Sequence, residues 1–332
     1  MITRIIKSVS VLALIAILVA VSVRWLVSKH QTGAPCLLPS GSSLPATLSP
    51  MPTGVPPPPS STRPTAPSQL PIGIKTLLGL PGVPADYRSR SAALRTLTCC
   101  LPADEIALLL TFLETPFSAS QGLRPVELNS LKSDVLGVLL SQDQPVTNLG
   151  VRVVATYLNL AHDDIWRDYC LQYLADCYEA VPSETAPDTP RDKITTAYWD
   201  AAAQSGKTFA GTALIGLETL SKKYPEIDRE KVGLVAVALA DDESTCEATR
   251  ITALRLCGKM KRAEALESAR IVAQTGKTIP LRMAAIATLG DLGELQDLEY
   301  LQGTAAHEAP RLKPVLEAAV KAIRTRLGAT KG

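Results

Sequence analysis

The sequence predicts an all-α domain of consecutive helical hairpins, carried behind an apolar N-terminal segment and a proline-rich tract. Three observations lead there. From about residue 84 onward apolar residues recur at i, i+3, i+4 and i+7, as in Ile106, Leu109, Leu110 and Leu113, or Val232, Val235, Ala236 and Leu239. That spacing marks helices with one buried face. No alternating run of β-branched residues is long enough to argue for a sheet. Finally, a small-residue pattern repeats: Arg250-Ile-Thr-Ala-Leu-Arg-Leu-Cys-Gly258 aligns with Arg282-Met-Ala-Ala-Ile-Ala-Thr-Leu-Gly290 at an offset of 32 residues, and a weaker copy runs from Ala319-Val320 to Ile323. A period of this length made of two helices signals modules that bury their apolar faces against their neighbours.

In chain order, residues 1–30 come first. Val9 to Val23 carry no charge, and the apolar run resumes after Arg24 through Val27, giving 19 residues. This is near the ~20 residues that a spanning helix needs. Trp25 suits the membrane interface and Arg24 can snorkel outward. The expectation is an uncleaved anchor over residues 9–27, N-terminus inside, with the rest exported. The competing reading is a secretory signal cleaved near Ala20-Val21-Ser22.

Residues 31–83 are expected to form a disordered linker. Between 31 and 70 there are eleven prolines and one charged residue, Arg63. Nothing in this stretch can build a core, and the prolines hold the chain extended, at ~3.1 Å per residue. A stalk is the functional reading; a plain interdomain linker and a Pro-rich peptide ligand for another domain are the alternatives.

Helices are expected near 86–98, 103–114, 125–141, 147–160, 163–180, 190–204, 209–222, 229–240, 245–258, 262–274, 280–290, 294–306 and 311–327. Their boundaries carry starts and stops: Thr189 caps before Pro190, Asp228 precedes a stripe, and Ser244 with Glu247 has capping-box spacing. Gly258, Gly276 and Gly290 are placed at helix ends. The repeat is clearest over 245–327 and extends back to about 208. Residues 84–207 lack it and are read as degenerate repeats or a helical cap.

These repeats resemble HEAT-like repeats of the short kind also seen in bilin-lyase relatives. The resemblance covers 208–328. It implies a right-handed α-solenoid whose concave face takes a protein or peptide partner. It also supplies an alternative, ligand handling for a prosthetic group. That second reading needs an open cleft lined by acidic and aromatic groups, and Trp166, Tyr169, Tyr173, Tyr198 and Trp199 are the one aromatic concentration able to supply it.

Chemistry-bearing motifs are weak. Gly206-Lys207-Thr208 and Gly276-Lys277-Thr278 mimic the end of a phosphate loop, but Ala201 and Ile271 stand where its first glycine belongs. They read better as one helix-end signal used twice. His162, Cys170 and Cys177 rise too far along a helix to share one zinc. Cys99-Cys100 is a possible redox or metal pair that no neighbouring His or Cys in sequence completes. His162 and His307 are read as solvated loop histidines. Arg250 and Arg282 are read as structural contacts to a carboxylate or helix-end carbonyl between repeats, with an acidic partner as the alternative. The last 22 residues carry six basic groups, Arg311, Lys313, Lys321, Arg324, Arg326 and Lys331, against Glu317, and are read as a solvated cap. A net charge of +2 and 4% aromatics argue against a nucleic-acid surface. No catalytic, cofactor-binding or metal-binding residue is assigned. The expected function is a membrane-anchored, non-catalytic scaffold for a protein or peptide partner.

Overall fold

The computed structural model describes residues 70–329, apart from 84–85, 119–121, 182–188 and 306–309. The chain divides into two units, Met1–Thr65 and Ala66–Gly332, and every described residue belongs to the second. The expected anchor, residues 9–27, and the proline tract through residue 69 lie outside the described residues. No helix among the described residues is long and apolar enough to cross a membrane.

The described residues form fourteen α-helices and no strand. They are α1 (Ile72–Leu78), α2 (Tyr87–Leu94), α3 (Ala103–Glu114), α4 (Pro125–Leu140), α5 (Leu149–Leu158), α6 (Asp164–Ala180), α7 (Pro190–Ala202), α8 (Phe209–Ser221), α9 (Arg229–Asp241), α10 (Glu247–Met260), α11 (Leu266–Thr275), α12 (Ile279–Leu292), α13 (Leu295–Ala305) and α14 (Lys313–Ala329). A 3-10 turn, Ala263–Ala265, leads into α11.

Local chemistry explains many of the boundaries. Asp86, Asp163 and Asp228 each stand in extended backbone and accept the amides of the following first turn, which have no intrahelical partner. Thr189 and Asp192 cap each other's backbone amides at the start of α7, with Pro190 in the first turn. Thr278 accepts from Leu281 N, whereas Thr208 makes no cap bond, so the duplicated motif caps only once. Ser244 and Glu247 form no capping box. Asp242 takes both the amide and the hydroxyl of Ser244, and Cys246 becomes the N-cap of α10. Gly258 and Gly290 do not end helices either. α10 continues to Met260 and stops at Lys261 in the left-handed region (φ 59°), and α12 continues to Leu292.

One helix was missed in sequence. Ile72–Leu78 falls inside the expected linker, yet Ile74 and Leu77 are fully buried and α1 packs on α2. At seven residues it is too short to show a period. It ends at Gly79 (φ 65°), whose amide and that of Leu80 close the last turn on Thr76 O and Lys75 O.

The helices pair in sequence, α1 with α2, α3 with α4, and so on to α13 with α14. Each even-numbered helix also packs on the next even-numbered helix, from α2 through to α14. Among the odd-numbered helices, α1, α3, α5 and α7 pack in the same successive way. The N-terminal part, where the sequence shows no repeat, therefore continues the same succession of hairpins. One continuous core runs between the helices, with Leu131, Leu171, Leu214, Leu254, Ile286 and Leu316 buried on successive even helices.

Close approach along the even row rests on small and hydroxyl-bearing residues. Thr249 of α10 accepts from Gly211 N of α8 at 3.2 Å and donates to Lys207 O at 2.8 Å. Thr288 of α12 donates to Leu254 O of α10 at 2.8 Å. A Cβ added at Gly290 would sit 2.9 Å from the Cα of Ala319 on α14. That obstacle is backbone and cannot swing away. Gly290→Ala is therefore expected to destabilise by about 1–3 kcal/mol. Gly137→Ala, in α4 with nothing within 4 Å of the new methyl, is expected to stabilise by up to about 1 kcal/mol through helix propensity. Urea unfolding of the two variants measures both, and the same sign for the two would contradict this packing.

Candidate functional site

Arg250 and Arg282, the matched arginines of the repeat, do not face outward. Each is the fourth residue of an even helix and turns back onto the end of the helix before it. Arg250 Nε donates to Ala240 O at 2.8 Å, and Arg282 Nε donates to Ala273 O at 2.9 Å. The helix-end carbonyl expected from the sequence is correct, but the contact lies within one hairpin rather than between repeats. The same device recurs at Arg167, where the sequence shows no repeat. Arg167, fourth in α6, donates to Tyr157 O at 2.7 Å, with its guanidinium against the rings of Tyr157 and Phe209. Arg90, fourth in α2, is buried and packs over Gly79 so closely that a Cβ there would collide with it.

Other cations do related work. Lys132 Nζ donates to Leu113 O at 3.1 Å and to Thr115 O at 2.5 Å, closing the end of α3. Arg191 donates to Val181 O at 2.8 Å, and Arg326 grips Gly290 O, Asp291 O and Gly293 O at the end of α12. The last carbonyls of a helix have no intrahelical partner and carry the negative end of its dipole, so a cation there satisfies both.

Around Lys132 lies a polar interior. Its ammonium sits 5.3 Å from the centre of the Trp166 ring. Burial is the largest influence on it and pulls its pKa down to about 8. His162 is not a solvated loop residue: it is only 5% exposed, and burial first, then the Lys132 charge, holds its imidazole below the usual range. Cys170 is fully enclosed and its thiol is pushed up strongly by burial. The void beside Trp166 and Cys170, about 10 Å³, has room for no more than about one water and is too small for a prosthetic group.

The five aromatics do not line an open cleft together. Trp166 and Tyr198 are core residues, 1% and 0% exposed. Tyr169, Tyr173 and Trp199 are half-buried, Tyr173 against Ser133 across 3.0 Å and Trp199 beneath the ammonium of Lys231. Lys207 pairs with Asp164 at 2.6 Å, and Thr278 donates to Glu247, so both phosphate-loop look-alikes are turns tied to neighbouring helices. Arg311, Lys313, Lys321 and Arg324 are exposed, while Lys331 and His307 lie outside the described residues. Cys99 and Cys100 are brought against Asp143, a carboxylate 43 residues further on that sequence spacing gave no reason to join to them.

What remains open is a surface. An even helix has its hairpin partner on one side and even neighbours on the others, leaving one stripe uncovered. On α6 this stripe carries Tyr169, Tyr173 and Asp176; on α8 Thr212, Ile215 and Thr219; on α10 Ile251 and Arg255; on α12 Met283 and Ala287. Ile215 of α8 and Met283 of α12 are 45% and 38% exposed, large apolar groups along the row. A hydrogen bond joins Ser133 and Tyr173 between α4 and α6. Burial is the largest influence on Asp168 and raises its carboxyl. Burial likewise raises the Tyr169 phenol, and the Asp168 and Asp134 carboxylates push it further.

A pH test bears on Lys132. The folded chain binds this proton less tightly (about 8) than the free side chain does (10.5), so the unfolded chain holds the extra proton between those values. Stability should therefore rise with pH across that window relative to a Lys132→Met variant, by at most about 3 kcal/mol because the two carbonyl bonds favour the charged form. Urea unfolding at intervals from pH 8 to 10.5 reads the difference, and a difference that falls with pH would contradict it.

Comparison with protein-family profiles, with curated proteins and with solved structures finds no match to this chain.

Proposed function

We propose that this chain is a non-catalytic scaffold, built as a right-handed solenoid of HEAT-like hairpins, whose uncovered even-helix face is concave and holds a protein or peptide partner. A single observation carries the reading: even helices pack on one another without interruption from α2 to α14, while their remaining stripe is left bare. Stacked hairpins that share such a row present an extended binding surface. The recurrence of the arginine clamp at the fourth position of α6, α10 and α12 supports one repeating unit extending back before the sequence repeat. Ile215, Ile251 and Met283 provide an apolar stretch, and Asp176 an exposed carboxylate toward its N-terminal side. A partner with an apolar anchor and a basic flank fits that arrangement. The segment 9–27 would hold the scaffold at a membrane, with the helical unit exported. The prosthetic-group reading is not favoured, because Trp166 and Tyr198 are consumed by the core.

The test is site-specific photocrosslinking in intact membranes. A crosslinker at Ile215, Ile251 or Met283 should yield a common adduct, and one at Leu234 or Ile271, exposed on α9 and α11, should not. Adducts that come equally from both sets, or only from the odd helices, would overturn the assignment of the face.

A further inference from the structure

The loop that joins α2 to α3 and the loop that follows α4 meet at Cys99, Cys100 and Asp143, all exposed. The two thiol sulfurs are 4.0 Å apart, and Asp143 Oδ2 lies 3.5 Å from Cys99 Sγ and 2.6 Å from Cys100 Sγ. All three ligand atoms fall within 4.8 Å of one another. Their positions are set by a frame that does not involve their side chains. Gln142 accepts from Leu101 N at 2.8 Å and donates to Thr98 O at 3.2 Å, so one side chain straddles the cysteine pair from both sides. Asp143 N donates to Cys99 O at 2.8 Å.

We propose that Cys99, Cys100 and Asp143 form a binding site for one thiophilic divalent cation, zinc by the chemistry of its donors. Two sulfurs and one carboxylate oxygen are a soft-to-borderline set, unsuited to magnesium or calcium. With Zn–S of about 2.3 Å and Zn–O of about 2.0 Å, tetrahedral angles put the sulfurs about 3.8 Å apart and each sulfur about 3.5 Å from the oxygen. The Cys99–Cys100 and Cys99–Asp143 separations already match. Cys100 Sγ must withdraw from the carboxylate by about 0.9 Å, a side-chain rotation that an exposed residue allows. Each thiol passes its proton to solvent as its Zn–S bond forms. The fourth position faces solvent, which leaves the site open to a water or to a donor from a docked protein. Sequence reading missed the carboxylate because its ligand lies across two helices, not at a metal-finger spacing.

The experiment uses the full chain in detergent, kept reduced, with zinc alone as the probe and cobalt(II) as a spectroscopic stand-in. One equivalent of zinc is expected to bind, with cobalt giving a thiolate-to-metal charge-transfer band. The Cys99→Ser/Cys100→Ser variant should lose the band and at least about 100-fold in affinity, and Asp143→Asn about 10-fold, with helix content unchanged in both. Both variants change exposed groups, so the fold is expected to survive. The backbone bond from residue 143 to Cys99 also persists in Asp143→Asn. Zinc bound equally well by the double variant would overturn the site, and an unaltered Asp143→Asn would remove the carboxylate from it.

Discussion

Successive even-numbered helices approach until their backbones nearly touch, and the rest of the fold is arranged to permit this. Gly290 lies against the Cα of Ala319, Thr249 bridges Gly211 N and Lys207 O, and Thr288 reaches Leu254 O. Larger residues at these points would push the helices apart and open the shared core of Leu214, Leu254, Ile286 and Leu316. A hairpin of two short helices cannot enclose its own apolar stripe, so each depends on the hairpins before and after it. The bare outer stripe of the row is the geometric remainder of that arrangement.

Tight rows create a second difficulty at the turns, where helix-end carbonyls are brought near the core. Cations answer it. Arg167, Arg250 and Arg282 each carry an Nε–H to a carbonyl in the last turn of the preceding helix, Arg90 lies over the end of α1, and Lys132 closes α3 from within. Losing such a donor strands a desolvated acceptor, which costs more than the net worth of an ordinary hydrogen bond. These positive charges are thus spent inside hairpins and are not part of any partner-facing ladder.

Helical class and most helix boundaries were legible because apolar spacing is a local property. The stripe Ile106, Leu109, Leu110 and Leu113 places α3 from sequence alone. Repetition was legible only where small residues lined up, at Arg250 to Gly258 and Arg282 to Gly290. Further back the same arginine persists at Arg167, but its surroundings differ, so the shared role appears only once its carbonyl partner, Tyr157 O, is seen. α1 escaped notice because seven residues between a proline and a glycine show no period. The Ser244 cap failed through competition from Asp242, two residues away. His162 was misjudged because burial at a turn depends on what packs over it. The meeting of Cys99 and Cys100 with Asp143 is a tertiary event, fixed by Gln142 and invisible to any short motif.

The dependence of each hairpin on its neighbours is tested most directly by hydrogen exchange along the chain after Leu254→Ala. Leu254 is fully buried in α10, in the middle of the even row's C-terminal half. A cavity there should cost about 2–5 kcal/mol. Neighbour-dependent stacking predicts that protection falls most in α9 to α12 and progressively less on either side, with α1 to α4 nearly unchanged. A uniform loss of protection from α1 to α14 would mean a single all-or-none core and would contradict the account.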